Sequence, residues 1–245
     1  MRERSRRAGA LLAGLLLLAA AGCMRPPTGG GGTTTTPPGG GGGGNGRAPV
    51  IFVHGFGGSA SQWTGVMNQF RAKGYASSQL SAISYNSQVG IETSAKTLEA
   101  EVGRVLARTG APRVDIVSHS MGSMVAKTCI IIGGCKGKVA HWESMSGVDN
   151  GTANEIVIAR GTRSNEDVQG RTPLRKQLQD GWQEGIVGQG VKVQVHWSRN
   201  DGIVVPGNTS VEPAPADNIE KPNLNHLNIY SNTEVIGEVV TFLGR

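Results

Sequence analysis

A serine hydroxyl becomes a useful nucleophile only when a neighbouring base takes its proton, and Ser120 stands where that chemistry is possible. It is the centre of Ser118-His119-Ser120-Met121-Gly122, directly after the apolar run Val114-Asp115-Ile116-Val117, and a helix-like segment follows. A strand that turns sharply into a helix strains the backbone at the turn and lifts that side chain clear of the chain. The residues two before and two after must be small, because they crowd neighbouring backbone. Ser118 and Gly122 meet that need, although the first position holds serine instead of the usual glycine.

Strand, turn and helix together resemble the nucleophile elbow of the α/β-hydrolases, in which an acid and then a histidine follow the serine along the chain. Three histidines follow Ser120. His141 and His196 lie inside strand-like runs, which suits structural roles. His226, in the polar loop Asn223-Leu224-Asn225-His226 before the last helix, is the candidate base. Asp201 follows the strand-like run 191–197 and the turn Ser198-Arg199-Asn200, and it is the favoured acid. Asp149 comes one strand too early and Asp217 lies in a Pro-rich loop; both stay open as alternatives. Asp115 sits mid-strand and is read as structural.

A developing oxyanion needs backbone N–H donors. Met121, next after the serine, offers one. The loop His54-Gly55-Phe56-Gly57-Gly58 after the first strand offers another through Phe56. His54 is expected to pin that loop, and His119 to point away from the nucleophile. No His-Glu-x-x-His or clustered-cysteine pattern and no dinucleotide or phosphate-loop glycine pattern occurs. Neither a metal nor a cofactor is therefore expected.

These residues need a scaffold that brings distant loops together. Apolar runs at 50–53, 80–85, 113–117, 139–145 and 191–197, with a short sixth at 217–222, read as strands. Helical patterns fall at 62–73, 92–108, 121–132 and 231–243, and Thr172-Pro173 reads as a cap opening a short helix to Gly181. In the clearest helix Ala95, Leu98, Val102, Val105 and Leu106 share one face, and Gly110 and Pro112 stop it. Alternating strands and helices predict an α/β fold, a mostly parallel sheet of about six strands with helices on both faces. Active sites in such sheets lie at the carboxyl ends of the strands.

The first residues predict something other than fold. Arg2, Arg4, Arg6 and Arg7 precede an apolar run from Ala8 to Ala21, then Gly22-Cys23. Residues 1–22 read as a signal peptide. Ala20-Ala21-Gly22-Cys23 resembles the lipobox of bacterial lipoproteins, in which the cysteine after the cut carries lipid. An ordinary secretory signal cut nearby is the alternative. Residues 23–48 then form a Gly/Thr/Pro-rich tether that cannot bury a core, and residues 49–245 form one catalytic domain. The expected location is the cell envelope, as a membrane-anchored periplasmic or surface lipoprotein, or else the secreted fraction. Half of the formal charge of +6 belongs to the leader, and no basic run remains to suggest nucleic acid. Cys129 and Cys135 are spaced to close a small disulfide loop in an oxidising compartment, with two buried thiols as the alternative.

Three segments carry a closer resemblance: Val50-Ile-Phe-Val-His-Gly-Phe-Gly-Gly58, Val114-Asp-Ile-Val-Ser-His-Ser-Met-Gly122 and His226-Leu-Asn-Ile-Tyr-Ser231. They are similar to the small lidless bacterial triacylglycerol lipases of the Bacillus type, which have Ala at the position of Ser118. The resemblance implies a cofactor-free hydrolase of carboxylic esters, including acylglycerols. It makes Ser120 the nucleophile, Asp201 the acid and His226 the base, with Phe56 and Met121 as oxyanion donors. A monomer acting on ester or lipid substrate is expected. A polyester depolymerase, a thioesterase, an acyltransferase and a non-catalytic surface module are the alternatives. Residues 153–190 depart from the family's minimal pattern and are read as a partial lid or a pocket wall.

Overall fold

The computed structural model describes residues 46–154 and 159–245. Residues 1–45, which hold the expected signal segment, Cys23 and most of the tether, lie outside the described residues, as do residues 155–158.

Six strands, β1 (Val50–Val53), β2 (Leu80–Ala82), β3 (Val114–His119), β4 (Val139–Met145), β5 (Lys192–Trp197) and β6 (Asp217–Glu220), form one sheet. Every pairing is parallel, and the order is β2-β1-β3-β4-β5-β6. The chain leaves β1 for β2 on one side and then returns to β3 on the other. The loops after β1 and β3 therefore part in opposite directions, and this is the crevice where open parallel sheets hold ligands. Register aligns the loops: Val53 lies opposite Ser118, and His119 opposite Met145.

Strands β1, β3 and β4 feed two cores, because successive side chains point to opposite faces. Ile51, Val53, Ile116 and Trp142 pack with helices α2 (Ile91–Thr109) and α3 (Met121–Ile131). Val50, Phe52, Val117 and Met145 pack with α1 (Thr64–Ala72) and α6 (Thr233–Leu243). Helix α3 is buried along its whole length, and its buried Lys127 pairs with Glu212 at 2.6 Å. Cys129 near its end is bonded to Cys135 as a disulfide.

Several boundaries differ from expectation. Strand β2 stops at Ala82 because the backbone amide of Tyr85 is diverted to the His54 ring (3.3 Å). A 3-10 turn, Ala60–Trp63, precedes α1. The last helix begins at Thr233, since the Asn232 side chain accepts from the Glu234 and Val235 amides. Thr172 is not a cap: its hydroxyl donates to Asp167 (2.8 Å), and α5 (Leu174–Asp180) starts without a side-chain cap.

Residues 159–190 also hold α4 (Arg163–Val168) and a π turn, Gln183–Val187. Helix α4 packs at the start of α2, where Asp167 accepts from the Ile91 amide (2.9 Å) and Ser164 from the Gly90 amide (3.0 Å). That part of the segment caps a helix of the fold.

Candidate active site

Ser120 is the hinge between β3 and α3, with φ 56° and ψ −130°. A non-glycine residue at positive φ costs roughly 1–3 kcal/mol and persists only where its surroundings enforce it. Here its amide is held by the Met145 carbonyl (3.1 Å), and its carbonyl accepts from Ser123 (3.0 Å) and Val148 (3.3 Å). Gly122 has to lack a side chain: a Cβ there would lie 2.4 Å from the His54 carbonyl oxygen and 2.5 Å from that of Val53. A Cβ on Gly55 would come within 2.8 Å of the Ser120 Cβ. The loop after β1 therefore lies directly against the elbow.

The chain brings Ser120, His226 and Asp201 together. Nε2 of His226 is 2.9 Å from Ser120 Oγ, and Nδ1 is 3.0 Å from Asp201 Oδ2. A carboxylate only accepts, so Nδ1 carries the proton and the Nε2 lone pair faces the hydroxyl. Asp201 is fixed in turn, with Oδ1 accepting from the amides of Ile203 (3.0 Å) and Val204 (2.7 Å). Burial opposes its charge, but the His226 ring and the Val204 amide outweigh that and hold its carboxyl below the usual range. All three side chains are buried.

The other acids are elsewhere. Asp149 accepts from Ser144 Oγ (2.5 Å). Burial, with Glu212 nearby, pushes its carboxyl well above the usual range, which makes it a poor partner for an imidazolium. Asp217 accepts from Gln194 (2.9 Å) on β5. Asp115 pairs with His141 (2.8 Å) across β3 and β4, and His196 is buried between Glu143 and Glu238.

The loop after β1 presents its amides selectively. Gly57 donates to Ser87 Oγ (2.9 Å) and Gly58 to the Gly55 carbonyl (3.2 Å). The Phe56 and Met121 amides donate to no acceptor among the described residues. His54 pins this loop: its Nδ1–H donates to the Gly55 carbonyl (2.7 Å), while the Tyr85 hydroxyl donates to the His54 carbonyl (2.6 Å).

His119 has a role that reading along the chain misses. Its side chain avoids Ser120 Oγ but lies on His226, with ring centroids 4.7 Å apart and Nε2 2.8 Å from the His226 carbonyl. Ser118 does more than stay small, because its hydroxyl bonds three partners. The signal in both cases was a polar residue at the carboxyl end of a buried strand.

Among the described residues no group of three His, Cys, Asp or Glu side chains is placed to hold a metal ion. A cavity of about 560 Å³ bounded by Arg47, Arg108 and Pro112 lies at the amino ends of β1 and β3, away from Ser120. The arrangement around Ser120 can form and break an acyl-enzyme, with a base, an acid behind it and two free amides beside the nucleophile.

Residues 47–145 match the class 2 lipase family. Among solved structures the chain is similar to the mature form of Bacillus licheniformis lipase BlEst2, at 17% identity and TM-score 0.68 over 80% of this chain and 92% of that one. Aspergillus fumigatus lipase B gives 17% identity and TM-score 0.68, over 85% of this chain and 55% of that one. The product of the gene lin2722 from Listeria innocua gives 16% and 0.60, over 81% and 94%. At these identities the likeness to solved structures is one of fold.

Proposed function

We propose that this chain is a carboxylic ester hydrolase of the lipase/esterase family and that it cleaves acylglycerols or other short- and medium-chain esters through an acyl-enzyme on Ser120. The observation that carries this is the 2.9 Å approach of His226 Nε2 to Ser120 Oγ with Asp201 behind the ring. His226 takes the hydroxyl proton as Oγ attacks the ester carbonyl carbon. The Phe56 and Met121 amides receive the oxyanion. The leaving alkoxide departs with the proton from His226. Water then attacks the acyl-enzyme with His226 again as base, releasing the acid and restoring Ser120.

Leu227, the residue after His226, is 67% exposed. An apolar side chain left in solvent beside the proposed base suits a substrate with an apolar chain.

The reading extends to location. Cys23 is lipidated after removal of residues 1–22, and residues 24–48 tether the domain to a membrane of the cell envelope. The lipobox-like Ala20-Ala21-Gly22-Cys23 and the Gly/Thr/Pro composition that follows support this.

The deciding experiment treats the protein with a serine-directed fluorophosphonate and follows hydrolysis of p-nitrophenyl esters of increasing chain length, triolein emulsion and polyester film. Labelling at Ser120, lost in Ser120→Ala together with ester turnover, is expected. An unlabelled wild-type protein would leave a non-catalytic surface module. Turnover confined to polyester film would reassign the substrate.

A further inference from the structure

We propose that His119 is a positioning residue for the base: a neutral imidazole that holds the backbone of His226 so that its ring stays aligned between Ser120 and Asp201. The inference rests on the reading of Ser120 and His226 as nucleophile and base.

Elbow geometry sets it up. The sharp turn at Ser120 sends successive side chains to different sides, so His119 lands under the loop that carries His226. Its Nε2 is 2.8 Å from the His226 carbonyl oxygen. A carbonyl only accepts, so Nε2 carries the proton, and Nδ1 is left to accept from the Gln62 side-chain amide at 3.4 Å. The ring is buried and lies between His226 (4.7 Å) and Tyr230 (4.6 Å). Burial, then the nearby His226, brings its pKa down to about 3. It therefore stays neutral at working pH and never sets a second positive charge beside the imidazolium that forms in catalysis.

His226 is thus clamped by its main chain on both sides. Its amide donates to the Asp201 carbonyl (3.0 Å), and its carbonyl accepts from His119. The loop around it is also held by Asn225, whose Oδ1 accepts from the Leu227 and Asn228 amides, and by Ser198, whose hydroxyl donates to the Leu224 carbonyl (2.7 Å). His119 is the direct link from the residue before the nucleophile to the base. A displacement of about 1 Å in such a group costs on the order of 100-fold in rate.

Two substitutions separate the hydrogen bond from the ring. His119→Phe keeps an apolar ring against Tyr230 but removes the N–H. His119→Gln places an amide N–H near the position of Nε2. With a soluble short-chain p-nitrophenyl ester, kcat of His119→Phe is expected to fall by roughly 10- to 100-fold with KM little changed, and His119→Gln is expected to recover most of the loss. Unchanged kcat in His119→Phe, or equal loss in both variants, would overturn the proposal. A second measurement needs no variant: ¹⁵N imidazole NMR of the wild-type protein should show His119 as the Nε2–H tautomer with no titration across neutral pH. A titrating ring or the Nδ1–H tautomer would also overturn it. Fluorophosphonate labelling of wild-type Ser120 is run alongside. If labelling fails, the catalytic reading falls; if it succeeds while His119→Phe is fully active, only this inference does.

Discussion

The Ser118 hydroxyl accepts the indole N–H of Trp142 at 2.9 Å. It donates to the Glu143 carbonyl at 2.8 Å and meets Ser123 Oγ at 3.0 Å, so its one proton and both lone pairs are used. The position that usually holds glycine in an elbow here joins β3, β4 and α3 inside the core.

Ser118→Ala keeps the position small but leaves the Trp142 N–H buried without an acceptor. An orphaned buried donor costs about 1–3 kcal/mol, and each kcal/mol shifts the melting midpoint by about 2–4 °C in a domain of this size. Thermal denaturation should show that loss, while turnover well below the melt stays at the wild-type level. A variant as stable as wild type would mean that the three contacts contribute nothing net.

Replacing the two rival acids should have opposite consequences. Asp201→Asn removes the acceptor that fixes the His226 tautomer, and kcat should fall by on the order of 10⁴-fold. Asp149 turns its carboxyl to Ser144, so Asp149→Asn should leave kcat nearly unchanged whatever it does to stability. The reverse pattern would reassign the acid.

A pH effect on stability should come from His196. Glu143 and Glu238 each lie 2.8 Å from one of its ring nitrogens. Burial works against its charge, but the two carboxylates outweigh it and raise its pKa above 6.5. Burial pushes Glu143 up as well, with His196 opposing. A histidine whose folded pKa is raised stabilises fully below its unfolded pKa and loses that contribution as pH rises through the folded value. A buried carboxyl with a raised pKa acts in the same direction. The melting midpoint of the wild-type domain should therefore drop as pH rises above the ordinary histidine value of 6.5. The drop should be smaller in the double variant Glu143→Gln/His196→Gln, which cannot titrate there. Equal slopes in the two proteins would exclude the pair as the source.

If Cys23 carries lipid, Cys23→Ser should move the protein from the membrane fraction to the soluble one, because buried acyl chain contributes about 0.8 kcal/mol per CH₂. An unchanged distribution would remove the anchor and leave a conventional secretory signal.

Information that is local in the chain was legible without coordinates. The apolar run at 50–53 is a strand to the residue, because burial on both faces leaves no room for polar side chains. The elbow was legible for the same reason: a serine between small residues at the end of such a run has few other conformations open to it. Helix α4 was not, since its residues are mostly polar and it is held in place by docking. Asp167 and Ser164 cap α2 from more than 70 residues away, and no window of sequence contains both partners.

The same limit applies at the site. Residue types and chain order put forward Ser120, His226 and a choice of aspartates, because acyl transfer demands those groups in that order. Only the packed sheet decided which carboxylate faces the His226 ring. The loops after β4 and β5 both end near the elbow, but Asp149 is turned into the α3 side beside Lys127 and Glu212, and Asp201 is turned onto His226. Only the packed sheet, too, set His119 under His226. A turn at positive φ reverses which way neighbouring side chains point, and what they meet depends on a loop 107 positions further along the chain. Composition and period report what a residue needs around it, and the fold supplies which residue answers.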